Sequence, residues 1–277
     1  MHFVVCLKQV PDTSEVRIDP ATNTLMREGV PSIINPYDAH ALEEAICLKE
    51  KVGGKVTVVS MGPPQAKEAL KKAMSFGADR AILITDRAFA GADSLATAYT
   101  LTVAIQKINE ADPIDIVFTG KEAIDGDTAQ TGPGIAQRLN FPQLTYAIKV
   151  RDLSDGWVTV ERKTEGGREV AKAKLPALLT CEKELNEIRY ASLPNMMKAA
   201  AYEPETWTAA SLPYETAQLG LKGSPTSVVR IFPPPTKTGG EKIDAIKDAA
   251  GVAATVVQKL LQENIIMVHP MAKGGKK

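Results

Sequence analysis

The segment 120–134 reads Gly-Lys-Glu-Ala-Ile-Asp-Gly-Asp-Thr-Ala-Gln-Thr-Gly-Pro-Gly, and its residue types suit a phosphate-bearing ligand. It follows an apolar run over 114–119 that reads as a buried strand, and it leads into a helical pattern from Ile135 to Leu139. A glycine-rich turn between strand and helix leaves backbone N–H groups free at the helix start, where the helix dipole also favours an anion. Gly120, Gly126 and Gly132 admit positive φ or a close backbone approach. Asp125 and Asp127 would repel a phosphate they faced; they cap the turn, accept from ribose hydroxyls, or point away while the amides hold the anion. Thr128, Gln130 and Thr131 are short neutral donors suited to phosphate oxygens or a polar ring edge. The same residues also fit an ordinary strand–helix loop with an Asp or Thr cap. The segment matches neither Gly-x-Gly-x-x-Gly nor the Walker phosphate loop.

Alternating strands and helices must hold this loop. Residues 3–7 form a short continuous apolar run, as in a strand covered on both faces. Residues 16–18 and 24–26 flank Asp19-Pro-Ala-Thr-Asn23 and read as a small hairpin. Asn35 caps a helix with Pro36 at its first position, Asp38 at its positive end and Gly53-Gly54 as its stop. A strand over 55–60, a helix opened by Pro64, a strand over 81–85 and a long helix capped by Ser94 follow. This order implies a doubly wound, mostly parallel α/β sheet with right-handed crossovers. Ligands in such sheets bind beyond the carboxyl ends of the strands, here at the loops 8–12, 60–64, 86–93 and 120–134. After about residue 142 the pattern changes to strands over 144–150, 157–163, 168–174 and 178–180, an antiparallel extension with a turn at Glu165-Gly-Gly167. Residues 186–198 form a loop with exposed apolar side chains, and 203–235 are Pro-rich and weakly periodic apart from 227–232. A helix over 241–263 completes an arm for which a partner subunit to lie on is the economical explanation, a flexible tail being the alternative. The expected division is a nucleotide-binding domain over 1–200 and an arm over 201–277.

Composition narrows the partners. The chain has 277 residues with 33 basic and 33 acidic side chains, a formal net charge of zero. That balance argues against nucleic acid or an anionic membrane. Cys6, Cys47 and Cys181 lie far apart and read as reduced, mostly buried thiols. His2, His40 and His269 have no metal-site spacing. No apolar run approaches the roughly 20 residues that span a bilayer, so a soluble cytoplasmic protein is expected.

Five segments together carry a family resemblance over nearly the full length. They are 4–10, Asn35-Pro-Tyr-Asp38 with its helix, Val58-Val-Ser-Met-Gly-Pro63, 120–134, and Arg189-Tyr-Ala-Ser-Leu-Pro-Asn-Met-Met-Lys198. The chain resembles the beta (small) subunit of an electron-transfer flavoprotein. The resemblance implies a Rossmann-like, adenine-nucleotide-binding sheet and a heterodimer with an alpha subunit, whose FAD exchanges electrons with a dehydrogenase. Ordinary members bury an AMP in the beta subunit, and electron-bifurcating members hold a second FAD there. The cofactor pocket carries over to Cys6, Lys8, Asn35, Asp38, Met61, Gly62, Gly120, Asp125, Gly126, Asp127, Thr128, Ala129, Gln130 and Thr131. Ordinary members have an acidic pair followed by Asn-Gln-Thr in the loop. Asp125-Gly-Asp-Thr-Ala-Gln130 and Lys8-Gln-Val-Pro-Asp12 look like the bifurcating form, with Gly126 and Ala129 leaving room for a larger ligand.

FAD is therefore expected in preference to AMP, with NADH as donor and with an acyl-CoA dehydrogenase and ferredoxin or flavodoxin as acceptors. Leu193, Pro194, Asn195 and Met196 fall in the family's recognition loop and are expected to dock the dehydrogenase, the alternative being that Leu193 packs beneath its own loop. Tyr37 lies near the alpha-subunit flavin by family position, or simply packs. An adenine-nucleotide sensor module is a rival reading that leaves the arm unexplained. An ATP pyrophosphatase would need Ser-Gly-Gly-x-Asp-Ser where Lys8-Gln-Val-Pro-Asp-Thr13 stands.

Overall fold

The computed structural model describes residues 1–12, 17–18, 25–26, 31–229 and 239–266. Strand β1 (His2–Cys6) is buried along its whole length and occupies the middle of a nine-stranded sheet. Between β1 and the first long helix lie short strands β2 (Gln9–Pro11), β3 (Arg17–Ile18), β4 (Leu25–Met26) and β5 (Ser32–Ile34). The third and fourth pair as the expected hairpin. The second and fifth pair antiparallel, so part of the expected 8–12 loop is a strand. Helix α1 (Pro36–Val52) then leads to β6 (Lys55–Met61), α2 (Lys67–Phe76) and β7 (Arg80–Ile84), each strand parallel to its neighbour. Pro64 opens a short 3₁₀ turn rather than α2 itself. Helix α3 (Ser94–Ala111) carries the chain back across the sheet to β8 (Ile116–Gly120), which pairs parallel with β1 on its other side. Its cap is Asp93, which accepts from the N–H groups of Leu95 and Ala96, and not the expected Ser94. A carboxylate placed one residue earlier reaches both free amides and meets the helix dipole.

This reversal of winding is a topological switch point, so the loops after β1 and β8 diverge and leave a crevice. Helix α4 (Thr131–Leu139) follows β8, beginning four residues before the expected Ile135. Two apolar layers cover the sheet. Phe3, Val5, Leu42, Ile46, Leu70 and Phe118 pack on the α1–α2 side, and Val4, Ile82, Ile105, Val117 and Ile135 pack on the α3–α4 side.

Strands β9 (Gln143–Ser154), β10 (Trp157–Thr164) and β11 (Gly167–Lys174) form the expected antiparallel ribbon. Strand β12 (Ala177–Cys181) departs from the expectation: it inserts between β8 and β9 and is parallel to both. Its Ala-Leu-Leu-Thr-Cys run is wholly buried, the signature of a strand covered on both faces. The expected loop at 186–198 contains helix α5 (Leu193–Ala201), with Pro194 in its first turn and Ser192 accepting from the N–H of Asn195. Strand β13 (Glu205–Trp207) closes the opposite edge beside β7.

The chain divides into compact units Met1–Phe232 and Pro233–Lys277. In the second, helix α6 (Ala249–Gln262) is shorter than the expected 241–263, because Asp248 caps it by accepting from Gly251 N–H. No described helix is long and apolar enough to cross a membrane.

Candidate functional site

The first turn of α1 ties the two diverging loops together. Asn35 stands at the cap position, yet its side chain makes no cap hydrogen bond, contrary to expectation. Completely buried, Asn35 donates from Nδ2 to the Glu122 carbonyl at 2.8 Å and accepts at Oδ1 from Ile124 N–H at 3.2 Å. Its own N–H donates to the Lys8 carbonyl at 2.9 Å. Asp38 does more than meet the helix dipole. One carboxylate oxygen accepts from Lys8 N–H at 2.7 Å and the other from Gly120 N–H at 2.9 Å. Burial pushes this carboxyl up to about 7, against the opposing pull of the Lys8 and Gly120 amides and the Asn35 side chain. A third tie crosses the mouth, where Lys8 Nζ donates to both oxygens of Asp125 at 2.7 and 2.8 Å. Of the readings open for Asp125, it therefore points to a lysine and away from the amides.

The loop itself makes a cradle. Gly126 and Asp127 both donate from their N–H groups to the Ala123 carbonyl. Asp127 and Ala129 have positive φ, 49° and 54°, and Gln130 is right-handed at φ −101°, ψ −16°. The left-handed Ala129 followed by the right-handed Gln130 turns the N–H groups of residues 129–131 toward one point and makes an anion nest. Helix α4 begins at the next residue without a side-chain cap, adding its free N–H groups and dipole. Beneath its first turn, the buried Thr119 Oγ1 has no hydrogen-bond partner among the described residues, and Ser60 Oγ at the end of β6 has none either. A donor-rich loop over orphaned buried hydroxyls fits a phosphate-bearing group.

The three glycines act differently from one another. A Cβ on Gly120 would stand 2.6 Å from Tyr37 Cβ and 2.8 Å from Asp38 N. One on Gly132 would stand 2.6 Å from Thr119 Oγ1. Both permit close approach, as expected. Gly126 has neither positive φ nor any atom within 4 Å of such a Cβ, so nothing in the fold requires glycine there. The positive φ falls on Asp127 and Ala129 instead.

Met61 ends β6 and Gly62 follows it; Cys6, at the end of β1, stands opposite Val59 of β6, and burial pushes its thiol up to about 12, with the Asp38 charge adding to the shift. Thr128 and Gln130 are exposed and Thr131 half-buried along the cradle.

Sequence reasoning placed Ser60 in a candidate loop and Tyr37 near the site but missed Thr119 and the lysines and Tyr146 that gather around Tyr37. Lys183 Nζ lies 4.5 Å and Lys121 Nζ 5.7 Å from the Tyr37 ring centre, and Lys121 also lies 5.6 Å from that of Tyr146. Tyr146 has φ 58° where the β9–β12 register shifts, an irregularity without a sequence signal. The docking candidates lie elsewhere. Leu193 is 69 % exposed and Met196 52 %, so Leu193 is not packed beneath its own segment. A cavity of about 440 Å³ lies beside α5, lined by Ile46, Met74, Arg189, Lys198 and Tyr202 among others.

A model of the electron transfer flavoprotein domain matches residues 22–212. The chain belongs to the electron transfer flavoprotein family. It is 53% identical over 266 residues to the "Electron transfer flavoprotein subunit beta" of Clostridium acetobutylicum, covering 96% of this chain and 100% of the relative. Identity is also 53% over 268 residues to the like-named subunit of Thermoanaerobacterium thermosaccharolyticum, with the same coverage. The "Protein FixA" of Azotobacter vinelandii is 48% identical over 278 residues, 99% of each chain. In this electron transfer flavoprotein beta-type chain, every residue of the nest and its ties lies within the matched span except Cys6 and Lys8.

Proposed function

We propose that this chain is the beta subunit of a heterodimeric electron transfer flavoprotein and that its crevice binds FAD. The carrying observation is the amide nest at 129–131 at the start of α4, held at the switch point by Asn35, Asp38 and the Lys8–Asp125 pair. The nest and helix dipole would hold phosphate, Met61 and Gly62 stand at the carboxyl end of β6, and Gly126 leaves open space where a side chain would stand. When bound, FAD would supply the redox chemistry, acceptance of a hydride from NADH and release of electrons one at a time, with the alpha-subunit FAD and an acyl-CoA dehydrogenase-type flavoprotein as one acceptor route and ferredoxin or flavodoxin as the other. The exposed start of α5, with Leu193, Pro194, Asn195 and Met196, is the docking edge for the dehydrogenase. The arm, whose helix α6 buries none of its described residues, packs on the alpha subunit.

A second reading places AMP in the same nest, which needs only one phosphate, and makes the subunit a docking scaffold. Gly126 favours FAD, since neither backbone nor packing accounts for it. Acid release of cofactors from the copurified complex, followed by chromatography and mass spectrometry, separates the readings. Two FAD per heterodimer support the proposal, and one FAD with one AMP overturns it in favour of the second reading. With FAD saturating, stopped-flow mixing with NADH is expected to bleach the flavin, and no reduction rejects the NADH step.

A further inference from the structure

We propose that Asn35 is a positioning residue that shapes the phosphate nest through the loop backbone, without itself touching the ligand. The inference rests on the nucleotide reading above and deepens it. Both functions of the buried side-chain amide are already used: Nδ2 donates to the Glu122 carbonyl and Oδ1 accepts from Ile124 N–H. It thus pairs with the loop as a neighbouring strand would, donor to acceptor and acceptor to donor. Three residues beyond Ile124, Asp127 enters the left-handed region, followed by Ala129, a conformation that costs a non-glycine residue about 1–2 kcal/mol. Such strain persists only when the surroundings over-determine it. Asn35 anchors the near end of the strained stretch, and α4 anchors the far end. The nest is therefore formed by the protein before a ligand arrives.

Two variants test this in the full-length protein with the subunit that copurifies with it, using AMP and adenosine as probes by calorimetry. Asn35→Ala removes both hydrogen bonds and is expected to weaken AMP binding by about tenfold or more, since each such bond contributes a factor of several. Adenosine, which has no phosphate for the nest, is expected to change by less than about twofold. Asn35→Asp adds a pH signature. Ionised, the new carboxylate faces the Glu122 carbonyl with no proton to give; protonated, it restores the donor–acceptor pattern of the amide. Burial raises such a carboxyl, so AMP affinity relative to wild type is expected to recover as pH falls from about 8 to about 5. Asp38, Lys8, Asp125 and the Glu122 side chain carry the charges nearest the position; the ratio to wild type cancels the titration of the last three, whereas Asp38, which the Asn35 amide also bonds, titrates with the new carboxyl as a pair, so the recovery is that of the pair.

The inference is overturned if Asn35→Ala binds AMP within twofold of wild type. Equal losses for AMP and adenosine overturn it too, as does an Asn35→Asp ratio that stays flat with pH. Wild-type protein that binds neither AMP nor FAD would instead defeat the nucleotide reading itself. Should Asn35→Ala fail to fold, the pH recovery of Asn35→Asp still decides.

Discussion

At the scale of single residues, Gly120 and Gly126 look alike in the sequence and differ in what they touch. Gly120→Ala would drive a methyl group into Tyr37 and the backbone of Asp38, and is expected to cost about 1–3 kcal/mol in urea unfolding. Gly126→Ala meets open space and is expected to leave stability within about 0.5 kcal/mol while lowering FAD content. A large stability loss in Gly126→Ala would show that packing, not ligand room, selects glycine there. Asp38 carries a pH dependence of definite sign. Its folded carboxyl is raised from 3.8 to about 7, chiefly by burial. Between those values the native state holds more protons than the unfolded chain, so stability from this group is full below 3.8 and is lost as pH rises through about 7. The stability advantage of wild type over Asp38→Asn should therefore shrink from about pH 4 to about pH 8, read by thermal unfolding. An advantage that grows with pH would mean the carboxylate is stabilised, not penalised, by its setting.

At the scale of elements, α5 is held at its base and bare at its tip. Arg189 just before it bonds Glu43 and Glu50 of α1, and burial of Glu43 makes this more than a surface pair. Ala199 is buried near its end, where α5 packs on α2. The first turn instead exposes Leu193, Met196 and Met197. Under the proposed function, this bare apolar turn on a fixed base would anchor in a partner pocket. Leu193→Ala is expected to change the melting free energy by less than about 0.5 kcal/mol and to slow electron transfer to the dehydrogenase at least tenfold, with flavin content unchanged. Loss of flavin or of the heterodimer in that variant would mark Leu193 as structural.

At the scale of the molecule, both apolar cores belong to the Met1–Phe232 unit, and α6 buries none of its residues in this chain. Val256 and Val257 are exposed on it, an apolar face that the proposed alpha subunit would cover. A chain ending at Phe232 is therefore expected to fold cooperatively and to bind AMP, and to lose most of its affinity for the alpha subunit in gel filtration. Failure of that truncated chain to fold would show that the second unit completes the first.

The alternating elements, the ribbon turn at 165–167 and the glycine-rich loop were legible in the sequence, because apolar period, turn chemistry and helix starts are written among near neighbours. Boundaries shifted where one side chain decided them, as with Asp93 for Ser94 and Asp248 for the start of α6. The parallel placement of β12 and the working of the site were decided only by tertiary structure. Asn35 meets Glu122 across 87 positions, Asp38 meets Gly120 across 82, and Lys8 meets Asp125 across 117. Residues that far apart are brought together by the winding reversal at β1 and β8, which no local pattern encodes. The sequence by itself determined that a loop rich in small residues and amides would stand at a strand end. Only the fold decided that Asn35 and Asp38 brace that loop, because a buried polar group must find its partner wherever the packed chain puts one.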